Sequence, residues 1–416
     1  MPVERKRRER NESAAADISR RNFLGDSLRA LAGAALPWPL LWLDGCTHPP
    51  LLTDRTIPRV LADLHVHAGI NRWNRQTPLG LQYPAVAKLA EVTFNRSGMD
   101  WKDCYEAGVD LICATHFNVF DEWLSMPTDP DPDAPAHTLR MLDLLEEELQ
   151  TTAAPYAKLA TTPKQLDALL DTPKESLEWR VAVIHTVEGG HALGGRLYAV
   201  EPLARRGVAM IGLTHFFNKG VATSGNSYPF FPDANSPWPA LGLSEFGRDL
   251  IKEVERCGVI VDVIHATNTA LEDIFKVATR PMVASHSSAR TLGDHPYSLI
   301  DEHLEEIARR GGLLGIILDP YLLGNYATLF DAEKEGTLRD VVRTVGYLVK
   351  LIGHEHVAIG TDFGGYITPP KDMTRVQQIG RLHRLLLHEF GDPNLVTDIL
   401  ANNAIRFIMA NWKPLV

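Results

Sequence analysis

The chain has 416 residues, 45% of them hydrophobic, so it can bury a large core, and one barrel of roughly 250 residues with insertions accounts for most of it. Its 42 Lys and Arg are outnumbered by 52 Asp and Glu, which removes electrostatic support for nucleic-acid binding. After Cys46 only Cys104, Cys113 and Cys257 remain, without the short paired spacing of a structural zinc site or the number for a disulfide framework; core packing or one optional bridge is what they suggest.

Residues 1–46 differ from the rest. Ser19-Arg20-Arg21-Asn22-Phe23-Leu24 resembles a twin-arginine export signal, and Ala30 to Leu43 reads as its hydrophobic region. That stretch, interrupted by Pro37 and Pro39, is too short and broken to span a bilayer as a stable helix. Leu43-Asp44-Gly45-Cys46 looks like a bacterial lipoprotein processing site, so a lipidated Cys46 attached to a membrane is one expectation and a disordered basic tail the other. The expected location is the periplasm or cell envelope. Residues 47–57, with Pro49 and Pro50, read as a linker, and residues 58–416 as one domain.

That domain opens with Val60-Leu61-Ala62-Asp63-Leu64-His65-Val66-His67. Side chains alternate along a strand, so His65 and His67 are expected on one face, able to grip one metal ion or two neighbouring ones. A lone His-x-His is as readily a pair of solvated strand-end histidines, but the pattern recurs. Asp110 to Thr115 precedes His116, Arg180 to Thr186 leads to Glu188, Val208 to Thr214 to His215, and Val259 to Ile264 to His265. Met282 to Ser285 leads to His286, Gly312 to Leu318 to Asp319, and Val357 to Thr361 to Asp362. Eight apolar runs alternating with helical patterns predict an α/β fold, a (β/α)8 TIM-type barrel with its chemistry at the C-terminal ends of the strands. His116 and Asp319 read as ordinary buried polar residues, with support of the ligands as their best functional role.

Between the strands, Thr138 to Gln150 places Leu139, Leu142, Leu145 and Leu149 at helical spacing. Gly69 to Asp100 and Gly220 to Leu243 read as rim loops, and the proline-rich loop after Phe117 equally as a substrate wall or a solvated crossover. Gly189 and Gly190 allow a tight turn after Glu188, with His191 as an ordinary loop histidine. Ser244 is a good N-cap for a helix stopped by Gly258, and Asn268 or Thr269 starts another.

Val187-Glu188-Gly189-Gly190-His191-Ala192, Leu213-Thr214-His215, Gly242-Leu243-Ser244-Glu245-Phe246-Gly247 and Ser285-His286-Ser287-Ser288-Ala289 are similar, in order and approximate spacing, to motifs of the membrane (renal) dipeptidase family, the M19 zinc peptidases. The resemblance implies a two-zinc barrel hydrolase that cleaves dipeptides with a metal-bridging hydroxide. Carried over by motif, it implies His65, His67, Glu188, His265 and His286 as ligands of two Zn2+ ions, with Glu188 as the bridge. It also implies His215 as the group that steadies the substrate oxyanion and Asp362, in Gly360-Thr361-Asp362-Phe363, as the manager of the proton.

Two positions depart from the family pattern. His67 stands where the family has Asp, removing one negative charge, although zinc accepts imidazole readily. The arginine that pairs with the dipeptide carboxylate is replaced by Tyr297, leaving Arg290 as the nearby substitute. The expected partner is therefore a small substrate, a dipeptide or related amide, with a homodimer left open. The alternatives are a metal-dependent amidohydrolase acting on another amide, lactone or ester, and a non-catalytic envelope protein with a decayed site.

Overall fold

The computed structural model describes residues 59–76, 97–118, 121–122, 131–225 and 242–415, together with Leu81 and Lys88. The expected export signal, the linker and much of the rim loops lie outside the described residues.

The strands among the described residues are β1 Ala62–Val66, β2 Leu111–His116, β3 Ala157–Leu159, β4 Val181–Val187, β5 Val208–Gly212, β6 Ile260–Asp262, β7 Val283–Ser287, β8 Leu313–Ile316 and β9 Val357–Ile359. All pairings are parallel, in the order β2-β1-β9-β8-β7-β6-β5-β4, and β2 also pairs with β4. That pairing closes the ring, so the eight apolar runs form the expected α/β barrel. Strands buried on both faces need apolar side chains in succession, which is why the runs were legible.

The short β3 is additional: it pairs with Val181, Ala182 and Val183 of β4, while β5 pairs with the following half of that strand. Its Ala-Lys-Leu sequence has no apolar run to announce it.

Two apolar layers sandwich the ring. The inner one draws Ala62, Leu111, Ala182, Met210, Ile260, Val283, Leu313 and Ala358, at least one residue from each barrel strand, and packs against Phe407 and Trp412 of the last helix and its cap. In the outer layer, helix Ala134–Gln150 buries Leu142, Leu145 and Leu149. The Ser244 hydroxyl accepts from Gly247 N at the start of helix Glu245–Arg256, as expected. Helix Asn268–Val277 begins where the sequence suggested, with the preceding Thr267 as its cap. Cys104, Cys113 and Cys257 are free and buried. No helix among the described residues is long and apolar enough to cross a membrane.

The β4–β5 pairing shifts register between His185 and Thr186, and two further strands break register near their ends. The β1–β2 pairing shifts between Asp63 and Val66, and the β7–β8 pairing between Ala284 and Ser287. Such a bulge re-aims a side chain, and here the latter two shifts span His65 and His286. The bend in β7 brings the Ser285 carbonyl so close to β8 and β9 that a Cβ on Gly315 would lie 1.9 Å from it, and one on Gly360 1.8 Å.

Gly315→Ala is therefore expected to destabilise the protein by about 1–3 kcal/mol, because the atom it meets is backbone and cannot rotate away. Urea unfolding should show a lower midpoint with an unchanged slope.

Candidate metal centre

The cage forms around Glu188, which follows β4 and precedes the turn at Gly189, where φ is +84°. Glu188 Oε1 lies 3.2 Å from His265 Nε2, 3.5 Å from His65 Nε2 and 3.5 Å from His286 Nε2. Its Oε2 lies 3.4 Å from His67 Nε2. His65 and His67 approach each other to 3.3 Å through Nε2, and His265 and His286 to 3.1 Å. The five residues expected to be ligands thus meet at the C-terminal end of the barrel, all buried.

His215 Nε2 is 3.7 Å from Glu188 Oε1, and Asp362 Oδ1 is 3.1 Å from His67 Nε2 and 3.9 Å from His65 Nε2. Two side chains expected in the reaction therefore border the cage.

Orientation is built in from behind. Ser285 Oγ is 2.9 Å from His286 Nδ1 and 3.3 Å from His65 Nδ1, which turns both Nε2 atoms inward. Asp63 accepts from Thr361 N, Thr361 Oγ1 and His65 N, tying β1 to the segment that carries Asp362. Asp262 accepts from Ser285 N and Ile264 N.

His265 and Asp362 are both left-handed, with φ of 64° and 60°. A non-glycine residue there costs about 1–3 kcal/mol and persists only when its surroundings impose it. Gly225 N donates to the His265 carbonyl at 2.7 Å, and Asp362 N donates to the His65 carbonyl at 3.0 Å.

The electrostatics favour bound cations. Burial opposes ionisation of Glu188, yet His215, His65 and His265 hold its carboxyl well below the usual range. Burial drives His286 well down and His265 down, leaving neutral imidazoles able to ligate. His65 resists burial and is raised by Glu188, Asp362 and Asp262, so a metal ion would displace its proton. Glu188 Oε2, Asp362 Oδ1 and His67 Nδ1 are buried without a hydrogen-bond partner. Unpartnered carboxylate oxygens facing imidazole nitrogens fit divalent ions, and the nitrogen and oxygen donors suit zinc. His65, His67 and Asp362, His65, Glu188 and His286, and Glu188, His215 and His265 form three overlapping groups of ligating atoms close enough to hold an ion.

The remaining sequence candidates separate from the cage. Arg290 donates through Nε and Nη2 to the His295 carbonyl and through Nη2 to that of Pro296, closing its own turn. Tyr297 lies in the pocket wall, its ring 5.0 Å from that of His265 and its hydroxyl donating to the His286 carbonyl. Phe117, Phe216, Ile317, Leu322 and Tyr366 complete the apolar part of the lining, with the Phe117 and Phe216 rings packed beside the imidazoles.

His116 Nε2 pairs with His185 Nδ1 at 2.8 Å, and His185 Nε2 lies 3.4 Å from Glu146. Asp319 accepts from Tyr321 N, capping a short helix. His191 is buried in the turn after Glu188, its ring against Phe117. Glu122, whose carboxylate lies 2.7 Å from His215 Nδ1, escaped sequence reading because no periodicity or motif marks it.

A family model described as membrane dipeptidase (peptidase family M19) matches residues 61–412. The chain is 30% identical over 239 residues to an uncharacterized protein in the pqqA 5' region of Klebsiella pneumoniae, covering 56% of this chain and 83% of that protein. It is 28% identical over 284 residues to dipeptidase verJ of Clonostachys rogersoniana, covering 67% and 69% respectively. A metallo peptidase from Rhodobacter sphaeroides, solved with a phosphinate mimic of the dipeptide L-Ala-D-Ala, shares the fold with a TM-score of 0.67 at 18% identity, over 85% of this chain and 100% of that one.

The His116–His185 pair makes stability depend on pH. Burial holds His116 well below, and His185 below, the ordinary imidazole value. Their stabilisation is fully present above the unfolded value near 6.5 and is lost as pH falls below it, by up to about 1.4 kcal/mol per pH unit for each ring. Unfolding midpoints of metal-free protein should fall from pH 7 to pH 5. The slope should be flatter in a His116→Gln, His185→Gln double variant, and equal slopes would reject this account.

Proposed function

The chain belongs to the membrane dipeptidase family, peptidase family M19, and is a metal-dependent hydrolase; from that premise we propose that it hydrolyses dipeptides at a two-zinc centre. In this reading His65 and His67 would hold one ion, His265 and His286 the other, and Glu188 would serve both. The supporting observation is the convergence of those imidazole nitrogens on one buried carboxylate that keeps an oxygen without a hydrogen-bond partner.

Zinc bound there supplies Lewis acidity at the scissile carbonyl and lowers the pKa of the attacking water. The chain's own residues do the rest. Asp362, held left-handed with Oδ1 buried and without a hydrogen-bond partner, takes a proton from the water as its oxygen bonds to the carbonyl carbon. It returns a proton to the nitrogen as the C–N bond breaks, so the products are two amino acids. His215 presents Nε2 on the side of Glu188, where, with hydrogens on both ring nitrogens, it can donate to the carbonyl oxygen as negative charge develops. The apolar wall of Phe117, Phe216 and Tyr366 keeps bulk water away from these charges.

The second reading, hydrolysis of another amide, a lactone or an ester, is favoured by one observation. The guanidinium of Arg290 is bound to its own turn, and Tyr297 offers the pocket an aromatic ring instead of a cation. The export reading completes the proposal: the enzyme works at the cell envelope after twin-arginine transport, anchored through a lipidated Cys46.

A substrate panel of dipeptides, dipeptide amides and lactones, assayed with and without chelator, tests both readings. Dipeptide turnover that chelator abolishes and zinc restores is expected, with about two ions bound per chain, two being the number of sites in this proposal. Glu188→Ala should lose both metal and activity; retained hydrolysis would reject the bridge. Turnover confined to amides or lactones would establish the second reading.

A further inference from the structure

The Glu122 carboxylate is fully buried, and both of its oxygens serve one short segment. Oε1 accepts from Phe217 N at 3.0 Å, and Oε2 lies 2.7 Å from His215 Nδ1. A carboxylate can only accept, so the hydrogen of that contact sits on Nδ1. His215 is held on other sides too: its ring centroid is 3.7 Å from that of Phe216 and 4.3 Å from that of Phe117, and Ser224 Oγ donates to its carbonyl. The one nitrogen left facing the cage is Nε2. Burial opposes the charge on Glu122, but His215 and His191 hold it below the ordinary carboxylate value, which keeps the acceptor ionised.

We infer that Glu122 is a positioning residue for the hydrolysis: its carboxylate accepts the Nδ1 hydrogen of His215 and holds the ring in the orientation that turns a second N–H, at Nε2, toward the substrate carbonyl. The inference rests on the function proposed above. A merely structural role would be met by the bond from Phe217 N alone, and this separates the two accounts.

Glu122→Gln retains an acceptor for Phe217 N but places an amide hydrogen opposite Nδ1. In zinc-loaded protein kcat should fall about tenfold to a hundredfold, the range for residues that orient a metal site from behind, with KM and metal content unchanged. Nitrogen-15 spectra of histidine-labelled protein, with His215 identified by its absence in His215→Ala, should show Nδ1 change from protonated to unprotonated. Glu122→Gln should cost nothing further in a His215→Ala background. Glu122→Asp, which keeps the carboxylate, should recover part of kcat and replaces the Gln variant if that one does not fold. An unmoved Nδ1 signal, a wild-type kcat, additive losses or a loss of metal in Glu122→Gln would each overturn the inference. A wild type that turns over no substrate overturns the proposed function instead, since the spectra do not depend on turnover.

Discussion

A buried carboxylate surrounded by imidazoles is the interaction on which the rest of this structure depends. Glu188 is almost without solvent exposure, and five imidazole nitrogens lie within 3.7 Å of its oxygens. Removing an ion from water carries a penalty of several kcal/mol unless opposite charge or hydrogen bonds replace the lost hydration. Here the replacement is imidazole or metal ion, and the imidazoles must come from four separate strand ends at once. The barrel provides this by bringing the ends of all its strands to one face.

The backbone accepts strain so that the side chains can converge. Regular pleating would alternate the side chains of β1, placing Leu64 and His65 on opposite faces. The register shift after Asp63 alters that, so Leu64 belongs to the inner apolar layer while His65 reaches the cage. In β7 the shift places the Ser285 hydroxyl between His65 and His286. His265 and Asp362 add two left-handed residues. Such local penalties persist because apolar side chains are buried on both sides of every barrel strand, and because Asp63 and Asp262 fasten the bent segments through backbone hydrogen bonds.

The two departures from the family pattern look different once placed in space. His67 brings its nitrogen to the same carboxylate as the other expected ligands, and the carboxyl group of Asp362 stands beside it. Tyr297 is a wall residue, packed on His265 and bonded to the His286 carbonyl, which makes it part of the scaffold that shapes the ligands. The pocket sets aromatic and aliphatic groups directly beside its imidazoles and Asp362.

Much of the barrel could be read from local pattern, because parallel strands buried on both faces must be apolar in succession and their C-terminal ends must carry the polar groups. The runs ending at His67, Glu188, His265, His286 and Asp362 announced both the architecture and the cage. Local pattern failed for β3, whose three residues have no periodicity, and for Glu122, whose partner His215 lies 93 positions away. It also left Arg290 as a candidate for substrate, since nothing local indicates that a guanidinium will close its own turn. Composition and periodicity thus determined the barrel and the chemical types at its rim, because burial acts on each segment independently. Which nitrogen faces which oxygen, and where strands bulge to arrange it, was decided only by tertiary structure, because those contacts exist only after distant segments have packed together.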